Sequence, residues 1–338
     1  MCRFLIYKGK DSINLADLLT KPQHSIINQS YDSRLRIDSQ PVNGDGFGVG
    51  YYTPTSNCPC LYKAITPAWN NQNLQRLSEK TNSNLVFAHV RASTYGVLSE
   101  TNCHPFIYNN LMFMHNGGVC DFRRIKKRLV NFIDENFFLE INGSTDSECC
   151  FALVLHCLSL NGFDPSSGKN CDVEILRKSL VDAIQYIKVW TNELPDKSSD
   201  PSLLNFALTD GESIVASRYI TSVTDEAASL YFSTGSNFIE YSPGRFKVER
   251  LNRSQNLIMV ASEPLTFERG DWISVPTNST ISISNFNVLL HPILDEYYTS
   301  HTVRSADYAC SKGMIGVVPK PQDSSVPPLL REGRQASI

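Results

Sequence analysis

The chain begins with MCRFLIYK (1–8), in which a cysteine stands directly before a run of alternating apolar residues. Alternation with a period of two, together with aromatic and β-branched residues, predicts a strand that starts at the terminus. Because the residue after Met1 is small, we expect a cytosolic methionine aminopeptidase to remove Met1. Cys2 would then carry a free α-amine next to its thiol, so one residue would hold both a nucleophile and a base.

The composition is that of a globular protein whose partners are small molecules or proteins. The chain has 338 residues, enough for one large domain or two ordinary ones, with 41% hydrophobic and 19% charged residues. It has no apolar run approaching the roughly 20 residues of a membrane span. The net charge of −3 provides no field that would attract nucleic acid or anionic lipid, so we expect neither as a partner.

The ten cysteines are expected to be reduced thiols of a cytoplasmic protein. Their density is low for a disulfide framework, and the N-terminus has no signal-peptide pattern. The CPC stretch (58–60) and the pair Cys149 and Cys150 lack the spacing of a zinc cluster, so we expect buried or loop thiols, no metal site and no cofactor. A cysteine-rich metal or redox protein stays open as an alternative.

The order of predicted elements favours an α+β fold with antiparallel sheets. Two strands, at 84–94 and 110–119, end in polar residues, and the glycine-rich NGDGFGVGYY (43–52) leads into another. Apolar residues at three- and four-residue spacing predict helices at 121–133, 147–160 and 173–190, and short strands follow from about 202. Strands, then helices, then strands are not the alternating pattern of a parallel sheet.

Polar signatures lie at the ends of several of these elements. Each has an ordinary structural explanation when taken alone: HNGG can be a hairpin turn, an isolated arginine a surface charge, and an aspartate a helix cap. The signatures are Cys2, Asp45 in GDGFG, Arg91 and Thr94 in HVRAST, Asn116 and Gly117 in HNGG, and Asp146 in GSTDSE.

In order and spacing, these signatures resemble the class II glutamine amidotransferases, N-terminal-nucleophile (Ntn) hydrolases with a cysteine nucleophile. The resemblance runs from Cys2 to about residue 155 and includes CHPF (103–106) and TDSE (145–148). DGFGVGYY and SEPL (262–265) are similar to the free-standing branch, which includes the amidotransferase subunit of a fungal glutathione-degrading complex. The resemblance implies a four-layer αββα sandwich in one domain, residues 2–300, followed by an extension at 301–338. The last twenty residues or so of that extension are rich in proline, serine and charge, a composition that predicts a flexible tail.

The resemblance also implies a role for each matching residue. Cys2 attacks the γ-carbonyl with its own α-amine as base, and the Asn116 side-chain amide and Gly117 N–H stabilise the oxyanion. Arg91 and Thr94 would bind the substrate α-carboxylate and Asp146 the α-ammonium group. Asp45 is a further candidate for substrate binding. His104 and His115 are expected to be structural donors, with His104 near enough to the pocket to be a substrate-binding candidate.

The expected activity is hydrolysis of a γ-glutamyl amide bond through a thioester. The resemblance favours glutathione as substrate and a peptidase-like protein partner. A glutaminase that delivers ammonia to a separate synthase is the alternative activity. A non-catalytic scaffold protein is an alternative from another functional class. Members fused to a synthase have tryptophan and histidine where Ala92 and Tyr95 stand here, and residues 202–300 have no recognisable acceptor motif.

Overall fold

The computed structural model describes residues 2–35, 42–93, 97–251, 255–268 and 270–299. The strands are β1 Arg3–Asn14, β2 Phe47–Thr53, β3 Ser56–Ala64, β4 Asn82–Val90, β5 Phe106–Tyr108, β6 Leu111–Gly118, β7 Leu203–Thr209, β8 Ile214–Arg218, β9 Tyr231–Gly235, β10 Asn237–Ser242, β11 Arg245–Glu249, β12 Leu257–Ala261, β13 Ile273–Ser274, β14 Ser279–Ser284 and β15 Asn287–Pro292. The α-helices are α1 Leu15–Leu19, α2 Ile26–Gln29, α3 Gln72–Lys80, α4 Phe122–Phe132, α5 Glu135–Phe138, α6 Asp146–Leu160 and α7 Val173–Asn192.

The first strand lies in the middle of a seven-stranded antiparallel sheet. The strand order is β13-β9-β12-β1-β4-β2-β3. In the pairing register, Phe4 lies opposite His89 of β4 and Leu5 lies opposite Ala261 of β12. Because both neighbours hold β1 along its length, the residue that precedes it, Cys2, has a fixed place at one end of the sheet.

A second, six-stranded antiparallel sheet has the order β15-β14-β8-β7-β6-β5. The HNGG stretch (115–118) forms the end of β6, where Asn116 pairs with Asn205 and Gly117 with Leu204 of β7. It is therefore a paired strand end and not a hairpin turn. A separate two-stranded hairpin joins β10 and β11.

Three apolar layers hold the two sheets and their helices together. Alternate residues of β1 point to opposite faces, so that Phe4 and Ile6 belong to the core between the sheets and Leu5 and Tyr7 to the core under α1, α2 and α3. The other face of the six-stranded sheet packs against α4, α6 and α7. The order of layers is helix, sheet, sheet, helix, which confirms the predicted αββα sandwich and α+β class.

The predicted helices and the strands near the site were placed to within a few residues, but some elements were not predicted. The CPC stretch is not a loop: Cys58 and Cys60 are exposed on β3, an edge strand. Pro59 and the exposed side chains of β3 remove the alternation that marks a half-buried strand. The predicted extension at 301–338 lies outside the described residues, and the assignment of 2–300 to one domain stays a prediction.

Within the described residues, no helix combines the length and apolar character needed to cross a membrane. In the same ranges, no group of three or more metal-ligating side chains is found. The nine cysteines of the described part of the chain are all free thiols.

Candidate active site

A cavity of about 460 Å³ opens beside Cys2, at the place where both sheets end. Its wall includes Cys2, Arg91, His104, Gly117 and Asp146, which come from five separate places in the sequence. A volume of this size is in the range of small-molecule sites. The fold thus brings five of the predicted site residues together around one space.

The Cys2 thiol lies against the backbone at the end of β4. Its Sγ is 3.3 Å from the Ala92 nitrogen, which donates to it, and 3.5 Å from the Ala92 carbonyl oxygen. Burial raises the pKa of this thiol, although the Ala92 N–H and the charges of Arg91 and Arg3 oppose that effect. Cys2 is therefore a neutral thiol near pH 7, and a base must take its proton before it can act as a nucleophile.

The backbone of Cys2 is fixed by a buried ion pair. Arg3 donates from Nη1 to the Cys2 carbonyl oxygen at 2.8 Å and from Nε to Glu263 Oε1, also at 2.8 Å. The second carboxylate oxygen of Glu263 lies 3.1 Å from His24 Nε2, and the backbone N–H groups of Arg34 and Leu35 donate to the same carboxylate. Both side chains of the Arg3–Glu263 pair are almost completely buried.

Glu263 is charged at all ordinary pH values because of these contacts. Burial by itself raises its pKa. The hydrogen bond from His24, the charge of Arg3 and the N–H of Arg34 outweigh burial and lower the pKa to about 2. An ionised carboxylate in the interior is stable only when its oxygens are paired in this way.

The two predicted oxyanion donors follow one another at the end of β6. Asn116 is completely buried, with one end of its side-chain amide 3.3 Å from Ser262 Oγ. Gly117 lines the cavity and has φ of 153°, and a Cβ there would lie 1.8 Å from the Leu203 carbonyl oxygen. Only glycine allows β6 and β7 to approach this closely.

Arg91 is buried and is not the surface charge that its residue type alone would indicate. Its guanidinium group donates to the Ser93 hydroxyl at 3.2 Å and lies 3.5 Å from the Asp45 carbonyl oxygen. Asp45 does not line the cavity: its carboxylate accepts from the Ser93 N–H at 2.7 Å and so holds the segment after Arg91. Thr94 lies outside the described residues.

Asp146 occupies the first turn of α6, but the helix cap is its neighbour. Thr145 is the N-cap residue and accepts from the Glu148 N–H. Asp146 Oδ2 accepts from the Val119 N–H at 2.8 Å, and Oδ1 accepts from the Ser147 N–H at 2.8 Å. The Ser147 hydroxyl also lies 3.2 Å from Oδ1. These bonds fix the carboxylate at the cavity wall, and Oδ2, which accepts only from Val119 among the described residues, has a further lone pair for a cationic ligand.

Three buried histidines lie at the cavity wall or directly behind it. His115 lines the cavity, with ring nitrogens 2.9 Å from Ser147 Oγ and 2.9 Å from the Leu203 carbonyl oxygen, contacts that fit the predicted structural role. His104 lines the cavity and stacks on His89, with ring centroids 4.1 Å apart, and its ring nitrogens have no partner among the described residues. Burial lowers the pKa of all three histidines, to about 3 for His89, so they are neutral at pH 7.

Sequence reasoning assigned no role to Ser93, Ser262 or Glu263, although all three contact predicted site residues. SEPL was noted only as a similarity to one branch of the family. The sequence does contain a signal for Glu263, because a serine and a glutamate directly follow the apolar strand LIMVA (257–261). A glutamate at the end of a buried strand needs a charged or hydrogen-bonding partner. The identity of that partner, Arg3, could not be read from the sequence.

Comparison with known proteins gives concordant results. Residues 29–287 match the family described as "Glutamine amidotransferases class-II". The chain is 59% identical over 346 residues to "Probable glutamine amidotransferase DUG3" of Saccharomyces cerevisiae, a match that covers 99% of this chain and 97% of that protein. It is 26% identical over 164 residues to the isomerizing glutamine–fructose-6-phosphate aminotransferase of the same yeast, covering 47% of this chain and 21% of that enzyme.

A solved structure of similar fold is that of a glutamine aminotransferase class-II domain protein from Silicibacter pomeroyi. It has 23% sequence identity and a TM-score of 0.57, and the match covers 87% of this chain and all of that chain. At this identity the likeness concerns the fold, which agrees with the αββα arrangement. The family match and the yeast relative together decide the assignment: the chain belongs to the class-II glutamine amidotransferases, as the sequence predicted.

Proposed function

We propose that this protein hydrolyses a γ-glutamyl amide bond with Cys2 as the nucleophile. After removal of Met1, the α-amine of Cys2 takes the thiol proton as the sulfur attacks the γ-carbonyl carbon. The tetrahedral intermediate collapses to a γ-glutamyl thioester, and the leaving amine departs with that proton. Water then attacks the thioester, which releases glutamate and regenerates the thiol.

The observation that carries this proposal is the placement of a cysteine thiol, a guanidinium group and a carboxylate around one cavity. Cys2, Arg91 and Asp146 all line it. A γ-glutamyl compound has an α-carboxylate and an α-ammonium group at the end opposite its reacting carbonyl, and these suit Arg91 and Asp146. Burial lowers the pKa of the three histidines near the cavity, which makes them weak bases and supports a terminal amine as the base.

Within this reaction class we propose glutathione as the substrate. Its glutamate is joined through the γ-carboxyl group, so the same contacts can bind the glutamyl half of glutathione and of glutamine. Support comes from the extensive identity with the yeast protein DUG3 and the branch resemblance described above. We also propose a cytoplasmic location and a peptidase-like partner that acts on the released Cys-Gly.

Glutamate release from glutathione and from glutamine, each with and without cell extract, tests this proposal. We expect Cys2→Ser to lose release from both substrates, by at least about 10³-fold in kcat. Cys120→Ser is the matched control, because Cys120 is also in the first half of the chain but does not line the cavity. Retention of either activity by Cys2→Ser while the protein stays folded would contradict the nucleophile.

A further inference from the structure

We propose that Ser262 is a positioning residue, which orients the Asn116 side-chain amide so that its NH₂ group is available to the oxyanion. The inference rests on the proposed function, because it assigns a purpose to Asn116 that matters only if an oxyanion forms. Ser262 lies at the end of β12 in the seven-stranded sheet and Asn116 lies on β6 of the six-stranded sheet. Their contact therefore crosses from one sheet to the other.

Ser262 is tied to the nucleophile strand on one side and to Asn116 on the other. The Phe4 N–H donates to Ser262 Oγ at 3.0 Å, and the Ser262 N–H donates to the Phe4 carbonyl oxygen at 3.0 Å. The same Oγ is 3.3 Å from the Asn116 amide. One buried hydroxyl thus connects the strand that begins with the nucleophile to the strand that carries the predicted oxyanion donor.

The hydrogen-bonding capacity of the two side chains indicates which end of the amide faces the serine. With Nδ2 toward Ser262, the hydroxyl accepts twice, and Asn116 Oδ1 is buried with no partner among the described residues. A hydroxyl has one proton to donate, and the two ends of a side-chain amide occupy nearly the same space. If the amide is turned, Ser262 Oγ–H donates to Oδ1 while still accepting from Phe4.

The turned amide pairs Oδ1 with the Ser262 hydroxyl and places Nδ2 at the position where the unpaired oxygen stood. A buried polar atom without a partner is costly in the resting enzyme, and a substrate oxyanion supplies the partner that Nδ2 lacks. The adjacent Gly117 N–H is the second predicted donor. Ser262 does not touch the substrate in this account and acts only through Asn116.

A double-mutant cycle tests the inference with steady-state kinetics of glutamate release. We expect Asn116→Ala to lower kcat by roughly 10²–10³-fold, the range for loss of an oxyanion donor. Ser262→Ala should lower kcat by about 10–10²-fold with KM nearly unchanged, since a misplaced donor weakens binding of the transition state but not of the ground state. In the Asn116→Ala background, Ser262→Ala should change kcat by less than about twofold.

Ser229→Ala is the matched control. The Ser229 hydroxyl donates to the Ser262 carbonyl oxygen at 2.8 Å, so this change disturbs the same buried segment without touching the Ser262 hydroxyl. We expect it to leave kcat unchanged even if the unfolding midpoint falls. Circular dichroism and urea unfolding of all variants establish that each one is folded under assay conditions.

The outcomes separate the two proposals. If Asn116→Ala leaves kcat unchanged, the oxyanion role in the proposed function is wrong. If Asn116→Ala lowers kcat but Ser262→Ala does not, only the positioning inference is overturned. Full additivity of the two changes, or an equal loss of kcat in Ser229→Ala, also overturns it, because either result means that the serine acts through general packing.

Discussion

At the scale of single residues, the site depends on how Cys2 is held. Its thiol is buried against Ala92 and its carbonyl oxygen accepts from Arg3. Burial raises the pKa of the thiol, so catalysis requires a base at very short range. An α-amine on the same residue satisfies that requirement without any contribution from a histidine.

Glu263 anchors this arrangement, and its contribution to stability should depend on pH. Its pKa in the folded protein is about 2, below the value of about 4.3 in an unfolded chain. Because the pKa is lower in the folded state, the charged carboxylate stabilises that state at pH values above the pKa of the unfolded chain. This stabilisation is lost as the pH falls toward 2. We therefore expect Glu263→Gln to lower the free energy of unfolding by about 3 kcal/mol at pH 7 and by about half as much at pH 3.

Urea unfolding of wild type and variant between pH 7 and pH 3 measures this difference. Glu79→Gln, a change of the same kind at an exposed glutamate on α3, serves as the control and should have little effect at any pH. A wild-type advantage over Glu263→Gln that stays constant down to pH 3 would mean that the carboxylate charge is not what stabilises the pair.

At the scale of elements, the end of β6 is the most constrained part of the site. Its last two residues are both glycines, but they differ in the space around them. A Cβ at Gly117 would lie 1.8 Å from the Leu203 carbonyl oxygen, whereas the nearest atom to a Cβ at Gly118 is Asp146 Oδ2 at 3.7 Å. The pairing of β6 with β7 therefore requires the first glycine and not the second.

This contrast predicts different effects of two alanine substitutions on stability. Gly117→Ala should destabilise the protein by about 1–3 kcal/mol from backbone strain alone, with the clash against β7 adding to that. Gly118→Ala should change the free energy of unfolding by no more than about 0.5 kcal/mol. Thermal or urea unfolding of both variants is the measurement. Equal stability of the two proteins would show that the strand end does not need a glycine at 117.

The elements that sequence reasoning found are those with a clear periodic pattern. The helices α4, α6 and α7 have apolar residues at helical spacing, and β1, β4 and β6 are apolar strands, so their positions followed from local physics. The sequence predicts buried or loop thiols in the CPC stretch and no strand there, because Pro59 and an exposed edge hide the pattern of β3. Asp146 was correctly placed at the start of a helix, but only the structure distinguishes it from the cap, Thr145.

At the scale of the whole molecule, the site is a product of sheet-on-sheet packing. The proposed nucleophile, Cys2, directly precedes a strand of one sheet, the predicted oxyanion donors lie on a strand of the other, and the core between the sheets holds them in register. Two supporting contacts, Arg3 to Glu263 beside neighbouring strands of the first sheet and Asn116 to Ser262 between the sheets, link residues 260 and 146 positions apart. Local patterns in a sequence contain no information on such pairs, so the resemblance could indicate the site residues but not their supports.

The central claim is that a processed N-terminal Cys2 carries out the reaction, and mass spectrometry of the working enzyme tests it most directly. Enzyme quenched in acid during turnover of glutathione should have lost Met1 and should carry a γ-glutamyl group on the N-terminal Cys2 peptide. A variant with a lysine inserted between Met1 and Cys2, which blocks removal of the initiator methionine, should release no glutamate. Turnover by protein that retains Met1 would contradict the account.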